Sequence, residues 1–321
     1  MDISYLLWLQ SLRSITHQIF NSFFLFITAL GEDFIIMSLI AGIYWCISKK
    51  SAFYLLFNFH IGNLINQAVK ITFCTYRPWI RDDRITPVES AISGASGYSF
   101  PSGHTAKAMA VWGGLVVHDF QGNTSTASFL LLIILAVGFS RNYLGVHTPQ
   151  DVIVSLILGG LILHVTHHLL IWVDKMRYRD WITAVSITII SSLLILYAKY
   201  KSYPLDYIDG QLLVNPQQMI NGCFRGCGGI IGLIFGWILE RKLIHYNETR
   251  GTWQTKLFRY LLGMLGLTLL FKTLPGLLSF FISPPKAAFI NGYMIPFYIT
   301  AIYPVLTRNL CKRFILSTQT R

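Results

Sequence analysis

Charge is what this chain has least of. Asp and Glu number 14 against 26 Lys and Arg in 321 residues, and the four charged types together make up only 12%. A soluble domain carries roughly 25% charged residues, because its surface must face water. A water-soluble fold is therefore excluded, and with 53% apolar residues so is a disordered chain. The net charge of +12 does not mark a nucleic-acid binder. Its basic residues sit in short clusters between apolar blocks, not in one dense stripe, so no nucleic-acid partner is expected. The first 30 residues lack a basic region followed by a small-residue cleavage site, so no removable signal peptide is expected. Repeats, low-complexity tracts and flexible linkers are also missing. The five cysteines (Cys46, Cys74, Cys223, Cys227 and Cys311) lie in or beside apolar segments. Cys223 and Cys227 have no His or acidic neighbour in sequence, so they read as buried thiols and not as a metal site or disulfide. No cluster of carboxylates offers a metal site either, so neither metal nor cofactor is expected.

What is present is a series of long apolar runs. A bilayer core needs about 20 apolar residues per helix. Candidate spans fall near 34–48, 52–74, 103–118, 127–141, 151–173, 181–198, 218–239, 257–282 and 288–307. The fold class is thus all-α, a polytopic transmembrane bundle of about nine spans. The apolar stretch 15–30 ends at Gly31-Glu32-Asp33 and is either an interfacial helix or the first part of a broken one. With residues 48–51 on the cytoplasmic side and sides alternating, cytoplasmic loops and tail hold 14 Lys and Arg. Outside the motifs below, the other side holds three: Lys199, Lys201 and Lys286. That asymmetry is the positive-inside pattern, and it places loops 75–102 and 142–150 outside. The charged stretch 174–180 divides a first unit, 1–175, from additional helices in 176–321.

Cations near a bilayer are costly unless a function holds them, and they collect at the outer ends of spans two to five. The first group is Lys70-(six residues)-Arg77-Pro78; seven residues are nearly two helical turns, which puts Lys70 and Arg77 on one face, with Pro78 ending the helix. The second is Pro101-Ser102-Gly103-His104, where Ser102 is a natural N-cap and the free N–H groups of the first turn attract an anion. The third is Ser140-Arg141-(five residues)-His147-Thr148-Pro149-Gln150-Asp151. Together they supply two guanidiniums, an ammonium, a backbone nest, two imidazoles and one carboxylate. Such a set suits a tetrahedral dianion and the charge that spreads over phosphoryl oxygens in transfer.

K-x6-R-P, P-S-G-H and S-R-x5-H-x3-D in this order resemble the three-part signature of the type 2 phosphatidic acid phosphatase (PAP2) superfamily. The resemblance covers about residues 30–173, fills every signature position, and implies a PAP2-type catalytic core in 1–175. It implies that His147 is the nucleophile that forms a phosphohistidine, that Asp151 holds its tautomer, and that His104 is the general acid and then base. Lys70, Arg77, Ser102, Gly103 and Arg141 would bind the phosphoryl oxygens. No metal is implied, because these cations take its place.

Each residue also has a bland reading. Thr148 to Asp151 is a good capping box with Pro at N1, so Asp151 suits a plain helix start. Ser102 suits a plain N-cap, and Lys70 is able to snorkel. Their joint spacing is what favours chemistry. The expected activity is hydrolysis of a phosphate monoester or diphosphate of a lipid-like substrate at the outer face of the plasma membrane (the inner membrane, in a bacterium), with membrane lipids as surroundings. A sugar-phosphate phosphatase of glucose-6-phosphatase type, a lipid phosphotransferase and, last, an anion transporter are the alternatives. Arg81, Asp82, Asp83 and Arg84 read as a self-paired loop before a head-group contact. His60 reads as structural. Arg225 and Lys272, inside spans without acidic partners, either line a polar cavity or snorkel. The glycines of span seven, recurring at a spacing of four, predict a close-packing helix face.

Overall fold

The computed structural model describes residues 2–208 and 210–308. The expected apolar segments within these residues are helical. Helices α1 (Asp2–Ile15), α2 (Asn21–Ala29), α3 (Asp33–Cys46) and α4 (Lys49–Phe73) lead into two short turns, α5 (Pro78–Arg81) and α6 (Glu89–Ile92). A broken helix follows: α7 (Gly103–Ala108), a π-helical turn Met109–Gly113, and α8 (Gly114–His118). Then come α9 (Thr124–Tyr143), α10 (Pro149–Asp174) and α11 (Arg179–Tyr200). A small antiparallel ribbon, β1 (Tyr207–Ile208) with β2 (Gln211–Leu212), precedes α12 (Pro216–Leu239), α13 (Trp253–Phe281) and α14 (Pro284–Phe297). Cys311 lies outside the described residues; the other four cysteines are free thiols.

Among the described residues, six helices are long and apolar enough to cross a membrane, or seven if the α2–α3 pair, bent by 45°, counts as one span. The bundle is thus polytopic and all-α as expected, while length and hydropathy do not establish a count of nine. The two shortfalls have a physical cause. Helix α4 carries Asn58, His60, Asn63, Asn66, Gln67 and Lys70, and it packs against α3, α7, α10 and α12 instead of facing lipid. The α7–α8 segment is short and interrupted. The apolar stretch 15–30 ends in α2, which packs on the core: the Phe24 ring lies 4.1 Å from the Tyr143 ring at the end of α9.

The loops bearing the three motifs meet at one end of the bundle, and α1 lies with them. Buried Arg13 donates to the carbonyls of Tyr143 and Thr86. At the opposite end, Trp45 of α3 ties the two halves of the chain together. Its indole N–H donates to the Ile299 carbonyl at 2.9 Å, and its own carbonyl accepts from Arg259 at 2.9 Å. Lys49 pairs with Glu240 there at 2.6 Å.

Helix α12 sits between α4, α11 and α14, and its glycines explain how. A Cβ on Gly228 would lie 2.0 Å from the Phe289 carbonyl oxygen, and one on Gly232 would lie 2.2 Å from that of Tyr293. The glycine face expected from spacing is the surface on which α14 lies backbone to backbone, while Gly222 and Gly226 turn to Gln67 and Asn63 of α4. Gly232→Ala is therefore expected to destabilise the protein by about 1–3 kcal/mol through overpacking against an immovable carbonyl. Gly276→Ala, whose new methyl meets nothing within 4 Å, should cause no loss. Thermal unfolding of both variants in detergent, by intrinsic fluorescence, checks the contrast.

Candidate active site

The first motif does not run along one helix. α4 stops at Phe73, Cys74 takes a left-handed conformation, and Arg77 is the extended N-cap of α5, with Pro78 at its first turn. Pro78 thus starts a helix instead of ending one. The chain turns back over the bundle end, which carries Arg77 inward to a buried position.

There Arg77 is held by backbone. Its Nε donates to the Gly97 carbonyl at 3.0 Å, Nη2 to Ser96 at 3.2 Å, and Nη1 to Val146 at 2.9 Å. Nη1 also lies 2.9 Å from Nε2 of His147. A guanidinium only donates, so Nε2 must accept and the imidazole proton must sit on Nδ1. That nitrogen faces Oδ2 of Asp151 at 3.1 Å. Oδ2 also accepts from Ser99 Oγ at 2.5 Å and from the Thr148 N–H at 2.9 Å. The capping box is present, and the same carboxylate orients the imidazole.

Local turns set the position of His147. Gly145 adopts φ +76°, and a side chain there would press on Pro87 at 3.1 Å. This left-handed step lets the N–H groups of Val146 and His147 return to the Arg141 carbonyl at 3.1 and 3.2 Å. Asn142 Nδ2 then holds the His147 carbonyl at 2.9 Å. The result is an imidazole 2% exposed.

The other cations divide by task. Lys70 directs its ammonium to three carbonyls, of Tyr98 (2.8 Å), Pro101 (3.1 Å) and Ser99 (3.2 Å), which braces the loop entering the second motif. Arg141 is 1% exposed and donates from Nη1 to Thr28 Oγ1 at 2.8 Å. Its Nε and Nη2 are buried and have no partner among the described residues, as befits donors kept for an anion. Ser102 caps α7 and accepts from Thr105 Oγ1 at 2.9 Å. A Cβ on Gly103 would meet only Asn66 Oδ1 at 3.9 Å, so the backbone stays open to close approach. Arg141, Lys107, His147 and Arg77 all act electrostatically on His104. His104 also lines a cavity of about 600 Å³ reached by Arg225, His60 and Asn291.

All eight residues singled out by the motifs therefore gather at one end of the bundle. Ser99, Thr28 and Asn142 complete the arrangement and carry no sequence signal: each is an ordinary polar residue whose role exists only once distant segments meet. His60, read as structural, lies on the cavity wall; the two intramembrane cations are both exposed, and of the two Arg225 lines the cavity. Of the charged residues after Pro78, Arg84 pairs with Asp82 at 2.7 Å and Arg81 with Asp2 at 2.8 Å.

A buried, preorganised oxyanion cup at the end of a membrane helical bundle defines a class of phosphate-handling membrane enzyme. Comparison with known proteins agrees. Residues 51–175 match the PAP2 superfamily, and residues 224–313 match the PAP2 superfamily phosphatase transmembrane extension. A relative, phosphatidylglycerophosphatase B of Bacillus subtilis (strain 168), is 31% identical over 147 residues, covering 42% of this chain and 68% of that protein. No solved structure matches. The chain belongs to the PAP2 superfamily and is an integral membrane phosphatase.

Burial lowers the His147 pKa well below 6.5, the Arg77 charge adds to the effect, and Asp151 opposes it. The imidazole is thus neutral at neutral and mildly acid pH. Because the unfolded chain takes up that proton near 6.5, this group makes stability fall as pH drops below 6.5 towards the folded value. Burial also lowers Arg77 to about 10, which leaves it cationic at neutral pH. Arg77→Gln removes the adjacent charge, so the His147 titration midpoint should move to higher pH, read by NMR of ¹⁵N-labelled histidine.

Proposed function

We propose that the protein hydrolyses phosphate monoesters or diphosphates of lipid-like substrates through a phosphohistidine, without a metal, at the non-cytoplasmic face of the plasma membrane. The observation that carries this reading is the Arg77–His147–Asp151 line. A neutral imidazole has its proton held on Nδ1 by a carboxylate and its Nε2 lone pair turned towards the buried Arg77 guanidinium.

Arg141 and Arg77, with the N–H groups at Gly103, bind the phosphoryl oxygens and offset the charge that builds on them. Nε2 of His147 attacks phosphorus. The bond to the leaving oxygen breaks as His104 gives that oxygen a proton, and Asp151 stabilises the imidazolium that forms. His104 then takes a proton from water, whose oxygen attacks phosphorus, and the P–N bond breaks to release phosphate and neutral His147. Lys70 keeps the second-motif loop in place. The name of the Bacillus relative gives one amphiphile of the right kind, phosphatidylglycerophosphate. The distribution of Lys and Arg supports the sidedness, and the break near 175 supports reading 1–175 as the catalytic unit.

The test is phosphate release by purified protein in detergent with EDTA present, from phosphatidylglycerophosphate, phosphatidate, prenyl diphosphate and glucose phosphate. Turnover on the lipids is expected to survive EDTA. His147→Ala should lower kcat/KM by more than about 10³-fold, and His104→Ala by roughly 10²–10⁴-fold. Full activity in His147→Ala would overturn the mechanism, and a phosphorylated acceptor in place of free phosphate would make the enzyme a phosphotransferase.

A further inference from the structure

The cavity beside His104 is walled on its far side by helices outside the catalytic core, and its chemistry is specific. We propose that it receives the leaving-group half of the substrate, and that Arg225 recognises an anionic phosphodiester on that leaving group. The proposal rests on the phosphatase reading above and extends it to substrate choice.

Direction comes from the reaction. In-line displacement puts the nucleophile and the leaving oxygen on opposite sides of phosphorus. His147 occupies one side; His104, which protonates the leaving oxygen, lines the cavity. The departing alcohol therefore points into it. About 600 Å³ is far more than a phosphoryl group needs and falls in the range that holds a small organic ligand.

The walls are of two kinds. Phe34 and Met37 of α3 with Phe271 and Pro275 of α13 form an apolar side, and Phe34 meets Phe271 edge-on at 5.3 Å. Both α3 and α13 carry exposed apolar side chains, such as Phe34, Ile35, Leu265 and Leu269, so this side continues towards the acyl region of the bilayer. The polar side carries His60, buried with both ring nitrogens unpartnered, and Asn291, buried with Oδ1 unpartnered.

Charge then selects the ligand. Two carboxylates, Glu32 and Asp33, line the cavity with two cations, Lys107 and Arg225, and Asp33 pairs with Lys107 at 2.6 Å. Arg225 reaches the same cavity and makes no ion pair or hydrogen bond through its side chain among the described residues. Its backbone is fixed, because its carbonyl lies where a Cβ on Gly292 would sit, at 2.1 Å. A guanidinium fork on a rigid helix suits the two free oxygens of a phosphodiester. An alcohol with a phosphodiester and acyl chains satisfies the chamber; diacylglycerol offers Arg225 no phosphate.

The experiment compares two lipids with identical acyl chains. Phosphatidylglycerophosphate releases an alcohol with a phosphodiester, and phosphatidate releases uncharged diacylglycerol. Both are presented in mixed micelles to wild type, Arg225→Gln and Asn291→Asp, and the ratio of their kcat/KM values is measured. Vanadate inhibition of each variant verifies a folded phosphate cup. The ratio should favour phosphatidylglycerophosphate in wild type and fall at least fivefold in both variants, through loss of the cation in one and an added carboxylate in the other. A smaller change in either variant, or a wild-type ratio below one, overturns the assignment. Wild-type protein that releases phosphate from neither lipid removes the phosphatase reading itself.

Discussion

Placing several cations in one buried cup is the constraint on which this structure depends. Ionised groups out of water need partners, and like charges close together need something between them. Lys70 and Arg77 meet the requirement with backbone, taking six carbonyls of the two motif loops and the His147 turn. The same bonds that make the cations tolerable fix the loops. Asp151 is the one carboxylate on the His147 imidazole, and Ser99, Thr148 and His147 all converge on it. Stability and chemistry share these contacts, so the cup is rigid before any substrate arrives.

The C-terminal helices are bound to one another by a different device. Helices α12 and α14 approach until glycine meets carbonyl, a packing that works in lipid because it needs no hydrophobic driving force. Close approach brings Arg225 and Asn291 to the same cavity as His104. A matching transmembrane extension covers residues 224–313, so the packing inside it also shapes the cavity that His104 lines.

Much of this was legible in the sequence. Low charge and long apolar runs gave the class, and three motifs marked eight residues that do come together. Spacing in glycines foretold the α12 face. Other features were not legible, for stated reasons. Helical periodicity put Lys70 and Arg77 on one helix, but the left-handed turn at Cys74 ends α4 first. Ser99, Thr28 and Asn142 have no pattern because their partners are distant in sequence. His60 resembled any buried histidine until α12 and α14 closed a cavity around it. The count of spans exceeded what length and hydropathy support, since a helix sheathed by protein need not be apolar.

That sheathing bears on how the chain enters the bilayer. Helix α4 holds a row of amide, imidazole and ammonium side chains that disfavour its partition into lipid as a lone segment. Its cover includes α12, made much later in synthesis and turned towards Asn63 and Gln67. The polar side chains of α4 therefore gain their full cover only with a helix made much later, and a chain truncated before α12 would leave Asn63 and Gln67 without that cover.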